Sequence, residues 1–115
     1  DNAIFGGDFR RWVDAEVCNR VDFYVSGHDH NRQWLNSVPN TPNLPAGQGT
    51  TPCNTHFAVS GAGAKLTGLE GRGNDTAFED DTMTGFLFME FYRDRVEVEF
   101  CDADGNTDWS RIIPR

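Results

Sequence analysis

The chain has 115 residues, of which 37% are hydrophobic, and 18 acidic residues against 10 basic ones give it a net charge of −8. The length suits one domain, and three tryptophans with nine phenylalanines argue against an intrinsically disordered chain. No apolar run reaches the length of a membrane span, no signal peptide opens the sequence, and the acidic balance disfavours nucleic-acid binding through a basic surface.

The first third of the sequence predicts a helix followed by a strand. Residues 8–17 have the spacing of one apolar helical face, formed by Phe9, Trp12, Val13 and Val17. Asp8 would be the N-cap of this helix. Residues 21–26 (VDFYVS) have the β-branched and aromatic composition of a buried strand in an α/β layer.

The rest of the chain predicts long connections and then an antiparallel meander. Four of the five prolines fall within residues 36–54, which we expect to form a surface loop, and residues 56–60 follow as a second strand. Residues 66–85 are rich in Gly and Asp and predict another connection. We expect three strands near the end of the chain, at residues 85–92, 95–101 and 108–113. In the second of them apolar and charged residues alternate, which is typical of a strand with one buried and one solvated face.

The strongest candidate site is the run Gly27-His28-Asp29-His30-Asn31, directly after the first predicted strand. In extended backbone, side chains two residues apart point the same way, so we expect His28 and His30 to face one point. Imidazoles suit zinc and iron, and Gly27 would let the chain turn where α/β sheets place their ligand crevice. The pattern predicts a metal site, and the alternative is two surface histidines in a loop.

Two histidines do not complete a metal site, because a catalytic zinc typically takes three protein ligands. His56, Cys53 and the carboxylates of residues 79–81 are the further candidates. We expect His56 simply to begin a strand and the acidic run to be a solvated loop. Residues 61–65 (GAGAK) fit no phosphate-binding motif, and we expect close backbone packing beneath a site there.

The stretch from Val21 to His30 resembles the G-H-x-H block of calcineurin-like metallophosphoesterases, and more narrowly that of the purple, or tartrate-resistant, acid phosphatases. Three later stretches resemble the same family in the same order, namely residues 32–35 (RQWL), 57–65 (FAVSGAGAK) and 85–87 (GFL). The resemblance spans nearly the whole chain from Gly7 onward.

The resemblance implies an α/β (α+β) fold: the C-terminal half of a metallophosphoesterase-type β-sandwich, flanked by helices and ending in an antiparallel meander. It also implies two metal ions, iron with zinc, manganese or a second iron, and hydrolysis of phosphate monoesters by a metal-bound hydroxide. By motif position, His28 would bind the second, divalent metal and His30 the first metal. Asp29 and Asn31 would support these ligands or rim the site, and no further catalytic residue is implied on this chain.

The family's remaining ligand motifs lie upstream of the G-H-x-H block and do not occur in this sequence. We therefore expect residues 1–115 to be a single partial domain, the C-terminal segment of a metallophosphoesterase catalytic domain. Alone it would be inactive and prone to aggregate, because half of a sandwich leaves strand edges and an apolar face uncovered. Its partners would be the missing N-terminal part and a phosphate ester, without nucleic acid or a membrane span.

The three cysteines allow at most one disulfide. Cys18 precedes one predicted strand and Cys53 the other, so they would lie close together if the strands are neighbours. We predict a bridge between Cys18 and Cys53, with Cys101 free. The bridge implies an oxidising environment, as for a secreted, periplasmic or extracellular protein.

The sequence is also compatible with two other functions. The chain could be a non-catalytic binding or assembly module that keeps the metallophosphoesterase fold and binds no metal. It could also be a small domain that binds one metal through His28, His30 and either Cys53 or an Asp.

Overall fold

The computed structural model describes residues 7–36, 53–69 and 74–115. A helix, α1 (Gly7–Trp12), runs directly into a π-helical segment, Val13–Val17. Seven strands follow: β1 (Phe23–Ser26), β2 (Arg32–Leu35), β3 (His56–Ser60), β4 (Thr76–Asp80), β5 (Gly85–Phe91), β6 (Arg95–Asp102) and β7 (Thr107–Pro114). Within these residues, no helix combines the length and the apolar content that crossing a membrane requires.

The strands form two sheets that pack against each other. The first has the order β1-β3-β2-β4, in which only the β1–β3 pair is parallel, and the second is the antiparallel meander β5-β6-β7. Side chains alternate across a strand, so Leu35 and Phe57 pack against the helical segment while Trp34 and Ala58 pack against the meander. The layers are therefore helix, mixed sheet and meander, which confirms the mixed α/β content and the predicted meander.

The helix differs from the prediction at both ends. Asp8 does not cap it, because it lies within the first turn and pairs with Arg11. The amide of Cys18 donates to the carbonyl of Val13, a bond five residues long that widens the last turn. Val13 and Val17 are buried on the sheet as predicted, but Phe9 and Trp12 remain about half exposed, at 50% and 48%.

Two strands were not predicted from the sequence. β2 carries four consecutive buried residues, Arg32 and Gln33 among them, so it lacks the alternation typical of a half-buried strand. β4 lies inside the Gly- and Asp-rich connection expected over residues 66–85. The expectation that β1 is a buried strand is also wrong, because β1 lies at the edge of the described sheet and its side chains are partly exposed.

The predicted disulfide between Cys18 and Cys53 is present, with the two Cα atoms 5.1 Å apart, and Cys101 is a free, buried thiol. Two hydrogen bonds between side chains and the backbone reinforce the bridge. The amide of Asn54 donates to Asn19 Oδ1, and the hydroxyl of Thr55 donates to the carbonyl of Val21. The segment before β3 is thereby fixed to the end of the helix. Most of the loop predicted over residues 36–54 lies outside the described residues.

A buried arginine joins the two sheets. Arg32 on β2 has no exposed surface, and its Nη2 lies 2.9 Å from Asp80 Oδ2 at the end of β4 and 2.8 Å from Asp108 Oδ2 on β7. Its Nη1 donates to the carbonyl of Cys101 on β6. One guanidinium therefore holds three strands besides its own, and the expectation that Asp80 is a merely solvated loop residue is wrong.

The pKa of Asp80 reflects this cluster. Burial alone would raise the pKa of its carboxyl group, but hydrogen bonds from the Thr82 hydroxyl, from Arg32 and from two backbone amides outweigh burial and lower the pKa to about 2. A lowered pKa favours the folded state at every pH above the ordinary pKa. This contribution is therefore present at neutral pH and disappears as the pH falls toward 2.

We predict that Arg32→Ala lowers the free energy of unfolding by about 3 kcal/mol, because two carboxylates lose their buried partner. Urea denaturation followed by circular dichroism measures the change. Arg20→Ala is the matched control, since Arg20 forms an exposed pair with Glu16 at 3.6 Å, and it should cost less than about 1 kcal/mol. Equal losses in both variants would show that the buried cluster does not join the sheets.

Candidate functional site

The candidate site lies where β1 and β3 end. These two strands are parallel, with Ser26 opposite Val59, so their carboxyl ends meet at one edge of the sheet. The histidine turn, residues 27–31, follows β1 at this edge, and the glycine loop, residues 61–69, follows β3. Open α/β sheets place their ligand crevices at such an edge, so the structure brings the two loops to the predicted location.

The backbone of the histidine turn is not extended. The amide of Asp29 donates to the carbonyl of Gly27 and the amide of Asn31 to the carbonyl of Asp29, which makes two successive three-residue turns. His28, at the centre of the first turn, has a φ of +72°. The expectation of an extended run is therefore wrong, and His28 rather than Gly27 has the unusual backbone conformation.

A γ-turn with positive φ at its central residue is rare and strained. Backbone strain at a residue other than glycine costs on the order of 1–3 kcal/mol and persists only where the surroundings impose it. Such strain is concentrated at binding and catalytic sites, which makes His28 a functional candidate on grounds independent of its side-chain chemistry.

The glycine loop imposes the turn. A Cβ atom on Gly61 would lie 1.9 Å from the carbonyl oxygen of Asp29, so only glycine allows the two backbones to approach this closely. The amide of Gly61 also donates to the carbonyl of Asn31. The expectation of close backbone packing at residues 61–65 is confirmed at Gly61.

Further along, the same loop holds the second histidine. The amide of Thr67 donates a hydrogen bond of 3.0 Å to the carbonyl of His30, and the amide of His30 donates one of 3.3 Å to the Thr67 hydroxyl oxygen. Lys65, the only lysine of the chain, is exposed and lies in sequence between Gly61 and Thr67, the two residues through which the glycine loop contacts the histidine turn. The sequence carried no signal that would have identified Thr67.

The side chains of the histidine turn differ in exposure. The imidazole of His28 is fully exposed, and its Nδ1 lies 3.7 Å from Asp29 Oδ1. His30 is partly buried. Asn31 is buried, and its Oδ1 accepts a hydrogen bond of 2.7 Å from Gln33 Nε2. Asp29 thus lies beside an imidazole, whereas Asn31 fastens the turn to β2.

The other candidate ligands lie apart from this turn. His56 begins β3 as expected and stacks on Phe23 with ring centroids 5.4 Å apart, and burial together with the nearby Arg111 lowers its pKa. Cys53 is consumed by the disulfide. Across the described ranges, no three His, Cys, Asp or Glu residues are grouped so as to hold a metal ion.

A scan of protein-family models and a search of curated proteins find no match to this chain. The resemblance to metallophosphoesterases therefore depends on the sequence blocks at residues 21–30, 32–35, 57–65 and 85–87.

We predict that His28→Gly raises the free energy of unfolding by about 1 kcal/mol relative to His28→Ala, because glycine adopts positive φ without strain. Urea denaturation of the two variants side by side measures the difference. The same exchange at His30, for which no positive φ is found, should favour alanine instead. If alanine equals glycine at residue 28, the turn is not strained.

We predict that Gly61→Ala lowers the free energy of unfolding by at least about 1 kcal/mol, because its methyl group would collide with the Asp29 carbonyl. Gly63→Ala is the control, since a Cβ atom there would have no neighbour within 4 Å. Backbone NMR should show shifted amides at residues 28–31 in the first variant and none in the second. If the amides of the histidine turn are unshifted in Gly61→Ala, Gly61 does not hold that turn in place.

Proposed function

We propose that this chain is the C-terminal, ligand-bearing segment of a binuclear metal-dependent phosphoesterase that hydrolyses phosphate monoesters, as acid phosphatases do. The observation that carries the proposal is the strained turn at His28, seated on Gly61 at the carboxyl edge of the parallel pair β1–β3. The turn displays two imidazoles at the edge where such sheets bind ligands.

The donor set fits part of a metal centre. Neutral imidazole suits zinc and iron, and the exposed ring of His28 is accessible to a metal. Two ligands are fewer than the three that a catalytic zinc takes from protein, and the described residues supply no third. The remaining ligands would come from polypeptide outside the described residues.

Each residue of the turn has a distinct part in this proposal. His28 and His30 would bind the two metals, iron together with zinc, manganese or a second iron. Asp29, close to Nδ1 of His28, would orient that ring so that Nε2 points outward. When bound, two such ions would polarise the phosphoryl oxygens, lower the pKa of water between them and neutralise the charge that develops on the phosphoryl group.

The disulfide supports the proposed location of this enzyme. A bridge between Cys18 and Cys53 is compatible with an oxidising environment. We therefore infer a secreted, periplasmic or extracellular phosphoesterase, whose partners are the upstream part of its own catalytic domain and a phosphate ester.

A non-catalytic module is the second candidate. It is favoured by the absence, among the residues that the structure describes, of any group of three potential metal ligands. Such a module would keep the fold and the turn but bind no metal. Metal content therefore separates the two functions more directly than any assay of turnover.

We predict that the intact protein binds two equivalents of iron or zinc, and that His28→Ala and His30→Ala each lose about one equivalent. Elemental analysis of the purified variants measures the metal content, and hydrolysis of p-nitrophenyl phosphate measures activity. Activity should fall by at least about a hundredfold in both variants, while residues 1–115 alone should show none.

His56→Ala is the control for these variants, because His56 packs against Phe23 away from the turn. It should keep both metals, and loss of metal in this variant would favour a mononuclear site instead. Full metal content in His28→Ala, or a metal-free intact protein, would contradict the proposed phosphoesterase, and the latter result would favour the module. Robust turnover by residues 1–115 alone would contradict the division of ligands between two segments.

A further inference from the structure

The meander has one face packed against the first sheet and one face uncovered among the described residues. Its inner face buries Val96, Val98 and Phe100 against Trp34 and Ala58. Its outer face consists of the residues that alternate with these, chiefly Phe88, Glu90, Arg95, Glu97, Glu99 and Ile112. We call this set the outer face of the meander.

The outer face combines exposed apolar side chains with a group of carboxylates. Phe88 is opposite Glu99, and Glu90, Glu97 and Ile112 form one row across the three strands. Phe88 and Ile112 are 43% and 63% exposed, and they line a groove together with all three glutamates. Large apolar side chains at both rims of a groove favour a partner that buries them.

The charge on this face selects the chemistry of that partner. Glu90 and Glu97 are direct neighbours across β5 and β6, and like charges in this position repel each other. Arg95 is the only Lys or Arg of the outer face, so its formal charge is −2 from three carboxylates and one guanidinium. A cationic partner would relieve this repulsion, whereas an anionic surface would increase it.

The glutamates are already satisfied without a partner. Glu90 accepts a hydrogen bond of 2.8 Å from the Tyr92 hydroxyl, and Glu97 accepts one of 2.6 Å from Arg95 Nε. Glu99 accepts one from Thr107. The face is therefore compatible with water, unlike the inner face with its buried Val96, Val98 and Phe100, and this mixed composition is typical of a separable interface rather than of a permanent core layer.

We propose that the outer face of the meander docks a cationic amphipathic helix of a separate protein. Its apolar stripe would pack on Phe88 and Ile112, and flanking Lys or Arg side chains would pair with the glutamates. A helix can pack on the exposed face of a sheet as a further layer. Phe88 and Ile112 would provide the apolar contacts, and the glutamates around them would make the contact specific for a cationic helix. This inference goes beyond the proposed phosphoesterase and does not depend on metal binding.

The experiment titrates the full chain, with its disulfide formed, against a labelled helical peptide of Leu and Lys, and follows binding by fluorescence anisotropy. The counterpart peptide of Leu and Glu should show at least about tenfold weaker binding, and so should a Leu and Lys peptide of the same composition without an apolar stripe. Phe88→Ser and the triple change Glu90→Gln, Glu97→Gln and Glu99→Gln should each weaken binding about tenfold.

The matched control neutralises three exposed acids elsewhere, as Glu16→Gln, Glu79→Gln and Asp104→Asn. Circular dichroism verifies that every variant is folded, and Phe88→Leu, which keeps the apolar contact, should bind normally. If the control variant weakens binding as much as the face variant does, the peptide responds to net charge alone and the proposal is overturned. Concentration-dependent dimers that bury Phe88 would overturn it as well, since the face would then belong to a second copy of this chain.

Discussion

The candidate site depends on one close approach between two backbones. Gly61 leaves room for the carbonyl of Asp29, where any side chain would collide with it, and the turn before Asn31 is thereby held in a conformation that His28 would not adopt freely. The disulfide and the parallel pairing of β1 with β3 bring these two distant segments together. The backbone conformation at both histidines therefore follows from contacts that contain no metal and no charge.

A second constraint keeps this edge of the sheet in place. Arg32 directly follows the histidine turn, and its guanidinium connects β2 to Asp80 on β4 and Asp108 on β7. A buried guanidinium that has two carboxylate partners resists displacement, because moving it would leave both carboxylates without their cation. The turn is thus fixed from one side by the glycine loop and from the other by a strand that is tied into both sheets. Preorganisation of this kind is what ligands of a metal centre require.

The sequence predicted those elements whose signal is local. The central strand of the meander, β6, alternates apolar and charged residues, and the disulfide was inferred from cysteines placed before two strands. β2 was missed because its sequence, RQWL, does not alternate between polar and apolar residues. Arg32 and Gln33 are buried only through contacts with residues distant in the chain, which the local sequence does not reveal. The geometry of the histidine turn was also missed, because the positive φ of His28 is imposed by Gly61 rather than by its neighbours in sequence. The H-x-H spacing that predicts a metal site is a local signal, but the conformation of the turn is not.

The proposed phosphoesterase requires that two imidazoles from one strained turn bind a shared pair of metal ions. Anomalous diffraction from crystals of the intact protein, recorded at the iron and zinc absorption edges, tests it most directly. We expect two peaks close together, with the ring nitrogens of His28 and His30 each about 2.0–2.1 Å from one of them, the distance of a zinc–imidazole bond. Peaks elsewhere in the molecule, or metal bound while both rings remain free in solvent, would contradict it.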